Sequence, residues 1–150
     1  MAILVLGGAG YIGSHTARAL VEAGRGVVVA DNLETGFRAA VPAGARFYEG
    51  DIRDRAFLDK LFEAEQIEGV IHFAANSQVG ESMAKPLKYY DNNLCGTKVL
   101  LDSMVAHDVL KIVFPRPPRP TASPIACRSW RPTAPSRPTA TAKPNCPWKI

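Results

Sequence analysis

Hydrophobic positions along the chain fall into short buried-type runs separated by helical stripes. Residues 2–6 (AILVL) form an aliphatic run that ends in glycines, as a strand buried on both faces does. Residues 11–24 carry Ile12, Ala19, Leu20 and Ala23 at helical spacing and close on Gly24. A second buried run, GVVVA at 26–30, ends in Asp31, and residues 46–49 predict a weaker strand. Residues 55–66 read as a helix with Phe57, Leu58, Leu61 and Phe62 on one face. GVIHFA at 69–74 predicts another buried strand. Residues 86–107 predict one long helix, with Pro86 in its first turn and Tyr90, Leu94, Leu101 and Val105 along one side. KIVF at 111–114 starts a last strand. Strands alternating with helices predict an α/β fold, a Rossmann-type doubly wound parallel sheet built from right-handed βαβ units.

Composition divides the 150 residues in two. Residues 1–114 hold 11 Lys and Arg against all 14 Asp and Glu, a net −3. Residues 115–150 hold seven Lys and Arg, no acid, and ten of the 12 prolines. The excess positive charge therefore sits in one segment, which argues against a uniformly basic nucleic-acid binder. No apolar run approaches the ~20 residues of a membrane span, and MAILVLGG lacks the basic start of a signal peptide. Cys95, Cys127 and Cys146 are odd in number and show no ligand spacing with any histidine, so no metal site is expected; a cytoplasmic compartment is the simplest reading. Residues 1–114 read as the α/β part of the chain. Residues 115–150 have no hydrophobic period and too few apolar groups to offset ordering entropy, so they read as an unstructured Pro/Arg-rich tail.

The chemistry is concentrated in Gly7-Gly8-Ala9-Gly10-Tyr11-Ile12-Gly13, between the first strand and the first helix. Glycine is needed there for a tight turn, for close approach of backbone to a pyrophosphate and for helix–strand contact. The helix N-terminus supplies free N–H groups and positive dipole to phosphate. Asp31 ends the second strand 18 positions after Gly13, where a carboxylate accepts from the adenosine ribose hydroxyls and repels a 2′-phosphate. This pattern predicts NAD rather than NADP.

GGAGYIGSH, DNLETG (31–36), GDIRD (50–54), VIHFAA (70–75) and VGESMAKPLKYYDNNLCGT (79–97) together resemble the extended short-chain dehydrogenase/reductases, the NAD-dependent epimerase/dehydratase family. The last stretch is similar to the UDP-glucose 4-epimerase branch in particular. The resemblance covers residues 1–114 and stops at Phe114. It implies that Gly7, Gly10, Tyr11, Ile12 and Gly13 cradle the NAD pyrophosphate, and that Asp31 and Asn32 hold the adenosine ribose. It implies that Asp51 and Ile52 border the adenine, with Asp51 accepting from the exocyclic amine. Phe73, Ala74 and Ala75 would line the wall between adenosine and nicotinamide, with Asn92 beside the cofactor. A UDP-sugar substrate and a homodimer are also implied by the resemblance alone.

In that family a tyrosine, activated by a lysine four residues later, removes the sugar 4-hydroxyl proton beside a serine or threonine. Position +4 here is His15 after Tyr11, Ile52 after Tyr48, Asn93 after Tyr89 and Leu94 after Tyr90. No Tyr-x-x-x-Lys stands in these residues, so the reading is a truncated and inactive epimerase. Another NAD-dependent nucleotide-sugar epimerase or dehydratase, or a non-catalytic NAD-binding module, remains an alternative. Loss of one base near codon 114 accounts for the composition break. The shifted frame of residues 114–122 can encode Ser-Ser-Thr-Ala-Ala-Thr-Tyr-Gly, and that of 138–143 can encode Tyr-Gly-Asp-Ser-Lys.

Overall fold

The computed structural model describes residues 1–115. The predicted tail lies outside the described residues from position 116 onward. Five strands run parallel: β1 (Ala2–Leu6), β2 (Gly26–Asp31), β3 (Arg46–Glu49), β4 (Ile67–His72) and β5 (Ile112–Val113). Their order is β3-β2-β1-β4-β5, so the chain first builds outward from β1 on one side and then on the other. The point where direction reverses lies between β1 and β4, and a crevice opens there beyond the strand C-termini.

The alternation of β1 explains the two cores. Leu4 and Leu6 face a layer made with Leu58, Leu61 and Phe62 of α2 (Arg55–Ala64) and Leu100 and Met104 of α5 (Thr97–Ala106). Val5 faces the other way, onto Ala17 of α1 (Tyr11–Glu22), with Val27 and Val29. Helices on both faces of a parallel sheet make the Rossmann-type doubly wound fold read from the sequence. Asp54 starts α2 by accepting from the Ala56 and Phe57 N–H groups.

Several details depart from the sequence reading. The stripe of α1 is not the one read: Ile12, Ala19 and Ala23 are exposed, while Gly13 and Ala17 are buried and Leu20 and Val21 half-buried. The helix lies so close to the glycine turn that only small residues fit beneath it. Strand β4 starts and ends two residues earlier than read, leaving Phe73 and Ala74 in the following loop. A short helix, α3 (Val79–Ala84), precedes α4 (Pro86–Tyr90); it buries no residue, so no stripe betrays it.

The long helix 86–107 is continuous but not uniformly α. Asp91–Gly96 forms a π-helical turn between α4 and α5. The apolar stripe read from the sequence is exposed on both sides of this turn. Leu100, Ser103 and Met104 face the core, whereas Tyr90, Leu94, Leu101 and Val105 are exposed. At the sheet edge, Val113 and Phe114 are also more than half exposed.

Candidate functional site

The glycine turn is held by backbone packing as much as by ligand geometry. Gly7 has φ +73°, a left-handed conformation that favours glycine. A Cβ there would lie 2.6 Å from the Ala74 nitrogen, and one at Gly13 would lie 2.2 Å from the Gly7 carbonyl oxygen. Gly10 differs: its nearest neighbour is the Gly7 oxygen at 3.3 Å, and it faces a cleft. Helix α1 starts at Gly10 with no side-chain cap, so its first-turn N–H groups have no side-chain acceptor.

The cleft is open and lies at the β1–β4 reversal point. Of the residues singled out in the sequence, Gly7, Gly10, Asp31, Asn32, Ile52, Phe73, Ala74, Ala75 and Asn92 line it. Glu34, Thr35, Gly50 and Asn76 line it too. Gly13 is buried beneath the turn, Ile12 is exposed, and Tyr11 faces a neighbouring hollow, edge-on to His15.

Asp31 is buried and ties two loops together. The Ala9 N–H donates to Oδ2 (2.9 Å) and the Leu33 N–H to Oδ1 (2.8 Å). The Phe37 N–H in turn donates to the Ala9 carbonyl at 3.0 Å. Each Asp31 oxygen keeps a further lone pair for a diol.

Asp51 stands differently. Oδ1 accepts from the Arg53 N–H and Nε, and Oδ2 from Arg53 Nη2 (2.7 Å) and Asn32 Nδ2 (3.2 Å). These four donors fill the acceptor capacity of a carboxylate. Arg53 holds the Asp51 carboxyl down at about 2. Asp51 lies between Gly50 and Ile52, which line the cleft, and an adenine amine reaching its carboxylate would displace one of these donors. Arg53 also donates to Asp91, linking the site's rim to the helix.

The opposite wall is fixed by two adjacent asparagines of the π turn. Asn92 Nδ2 donates to the Ala74 carbonyl at 3.2 Å. Asn93 receives the Asn76 N–H at 2.8 Å and donates to the Asn76 carbonyl at 2.9 Å. The sequence reading named Asn92 and missed Asn93; the NN doublet was the available sign. His72, at the end of β4, has Nε2 3.1 Å from Thr97 Oγ1, while its buried Nδ1 has no partner. Burial pushes its pKa below the usual imidazole value, which keeps the ring neutral at pH 7.

The sequence pattern of the NAD dependent epimerase/dehydratase family matches residues 3–116. The chain belongs to that family. Its cofactor is therefore NAD, and the uncapped helix start, the glycine backbone of Gly7 and Gly10 at the cleft and the free lone pairs of Asp31 fit a dinucleotide. The UDP-glucose 4-epimerase of Streptomyces lividans is 60% identical over 112 residues, covering 74% of this chain and 34% of that protein. That of Lacticaseibacillus casei is 59% identical over 114 residues, covering 76% and 34%. A crystal structure of the Brucella ovis UDP-glucose 4-epimerase in complex with NAD is 48% identical, with a TM-score of 0.73 over 75% of this chain and 34% of that one. The chain thus spans about a third of the length of the curated relatives it matches. Among the described residues no helix is long and apolar enough to cross a membrane.

Proposed function

We propose that residues 1–114 are the NAD-binding half of a UDP-glucose 4-epimerase, and that these 150 residues alone bind the cofactor without turning a sugar over. The observation that carries this reading is the 60% identity to a UDP-glucose 4-epimerase over 112 residues. Bound NAD would supply the hydride acceptor and donor for epimerisation at C4 of a UDP-sugar. Gly7 and Gly10 would hold the pyrophosphate, with Tyr11, Ile12 and Gly13 supplying N–H groups at the uncapped start of α1. Asp31 and Asn32 take the adenosine ribose, Ile52 packs on the adenine, and Phe73, Ala74, Ala75 and Asn92 form the wall toward the nicotinamide. Asp51 acts on the adenine side chiefly by holding Asn32 and Arg53 in place.

Turnover further needs a base for the 4-hydroxyl proton, and no tyrosine in these residues has a lysine four positions on. Residues 115–150 are read as an out-of-frame translation. The family match ends at residue 116, beside the point where acids vanish and prolines accumulate.

The test has two arms. The chain should bind NADH more tightly than NADPH by calorimetry and show no conversion of UDP-galactose to UDP-glucose. Restoring one base near codon 114 should yield both the Ser-Ser-Thr run and Tyr-x-x-x-Lys, and an active enzyme. Equal affinity for both cofactors would refute the Asp31 role, and a repaired frame without both motifs would refute the origin of the tail.

A further inference from the structure

The cleft has two walls on different parts of the chain. One is the loop after β2, which contributes Asp31, Asn32, Glu34 and Thr35. The other is the segment after β4 together with Asn92. Lys88 lies four residues before Asn92 on the same helical run, so it sits one turn away on roughly the same face. Its Nζ is 2.6 Å from Glu34 of the first wall and 3.2 Å from Glu81 of α3. Glu81 also accepts from the Tyr89 hydroxyl at 3.0 Å.

This connection matters because little else restrains the segment. Helices α3 and α4 bury no residue, and Val79, Met83 and Leu87 are each more than three-quarters exposed. An element held by polar contacts rather than apolar burial opens at low cost. Glu81 gathers Lys85, Lys88 and the Tyr89 hydroxyl, and Lys88 alone of these also reaches Glu34; both flanking carboxylates raise the Lys88 pKa, so it stays charged.

We propose that Lys88 is a positioning residue that latches the 79–90 segment to Glu34 across the mouth of the cleft and slows release of the dinucleotide. The inference rests on the NAD-binding reading of the cleft. A ligand that reaches from Asp31 to Asn92 lies between the two walls, so the Lys88–Glu34 bridge between them narrows its way out of the open cleft. An exposed ion pair adds little to global stability but acts directly on an opening confined to this segment.

The experiment uses the 150-residue chain loaded with NADH, chased with excess NAD⁺, and follows the loss of NADH fluorescence in a stopped-flow instrument. Lys88→Met and Glu34→Gln should each speed release by roughly 2- to 5-fold, the range that an exposed pair commands. The double variant should be no faster than either single one, and Lys88→Arg should release at close to the wild-type rate. Raising salt from about 50 to about 500 mM should speed wild-type release and leave Lys88→Met unchanged. A merely structural role for Lys88 would not produce this salt difference or the Arg rescue. If Lys88→Met fails to fold, Glu34→Gln and the wild-type salt response decide alone. NADH bound but released equally fast from all variants overturns the latch alone. A wild-type chain that binds no NADH overturns the cofactor reading, and the latch with it.

Discussion

Gly13→Ala separates packing from propensity, because the two act with opposite sign. Alanine is the better helix former, so at an unobstructed site the change would stabilise by up to about 1 kcal/mol. At Gly13 the new methyl would lie 2.2 Å from the Gly7 carbonyl oxygen and 2.8 Å from the Gly8 Cα. Ordinary contact begins near 3.4 Å, so α1 must retreat by about 1 Å or the turn must distort. Both obstacles are backbone atoms, which cannot swing aside as a flexible side chain does. Retreat also loosens Ala17, Leu20 and Val21 against Val5 and Val29. Overpacking of this kind costs about 3 kcal/mol, the upper part of its usual range. The net loss is then about 2 kcal/mol, which with m near 2 kcal/mol/M lowers the urea midpoint by about 1 M. Far-UV circular dichroism reads the transition. Gly80→Ala is the control: nothing lies within 4 Å of its Cβ, so it should be neutral or slightly stabilising. A Gly13→Ala midpoint equal to or above wild type would refute the account of the turn.

Three further outcomes follow from the site. Asp31→Ala strands the Ala9 and Leu33 N–H groups and should cost about 2 kcal/mol in denaturant unfolding while narrowing the NADH-over-NADPH preference; Asp31→Asn, which keeps one acceptor, should cost less. Asp51 is depressed to about 2 from 3.8, so its contribution is complete above its unfolded value and is lost as pH falls from about 4 toward 2. Because Arg53 is partly exposed, that loss should be about 1 kcal/mol, and Asp51→Asn should flatten the acid limb of a stability–pH curve. His72 is also depressed, so the folded chain stays neutral where the unfolded chain protonates, and stability should fall as pH drops below about 6.5; His72→Gln should remove that slope.

What the sequence disclosed depended on whether one segment alone carried the cause. Strands β1 and β2 were legible because burial on both faces demands unbroken runs such as ILVL and VVVA. The glycine turn and Asp31 were legible because their residue types answer a backbone requirement within one βαβ unit. The stripe of α1 misled because close approach to Gly7 and Gly8, not hydrophobicity, selects Gly13 for the buried face, and Ala17 packs beyond it on Val5, Val27 and Val29. Helix α3 left no stripe because it has no buried side. Asn93 on Asn76, Arg53 between Asp51 and Asp91, and Lys88 on Glu34 are pairings of distant residues. No local pattern could announce them before the topology had set β2 and β4 on either side of β1.

The π turn at Asp91–Gly96 makes chain length itself a specification. A turn closed over five residues rather than four holds one residue more than regular helix requires. Deleting Leu94 or Cys95, both exposed, would let the run relax into an ordinary α-helix without removing a single core side chain. Everything on one side of the deletion would then turn by about 100° and shift by about 1.5 Å relative to the other. With α5 anchored through Leu100 and Met104, the side that turns is the one carrying Lys88 and Asn92. A one-residue deletion that helix propensity alone would favour thus swings that wall away from Glu34 and Ala74. In this stretch, spacing carries information that no substitution matrix records.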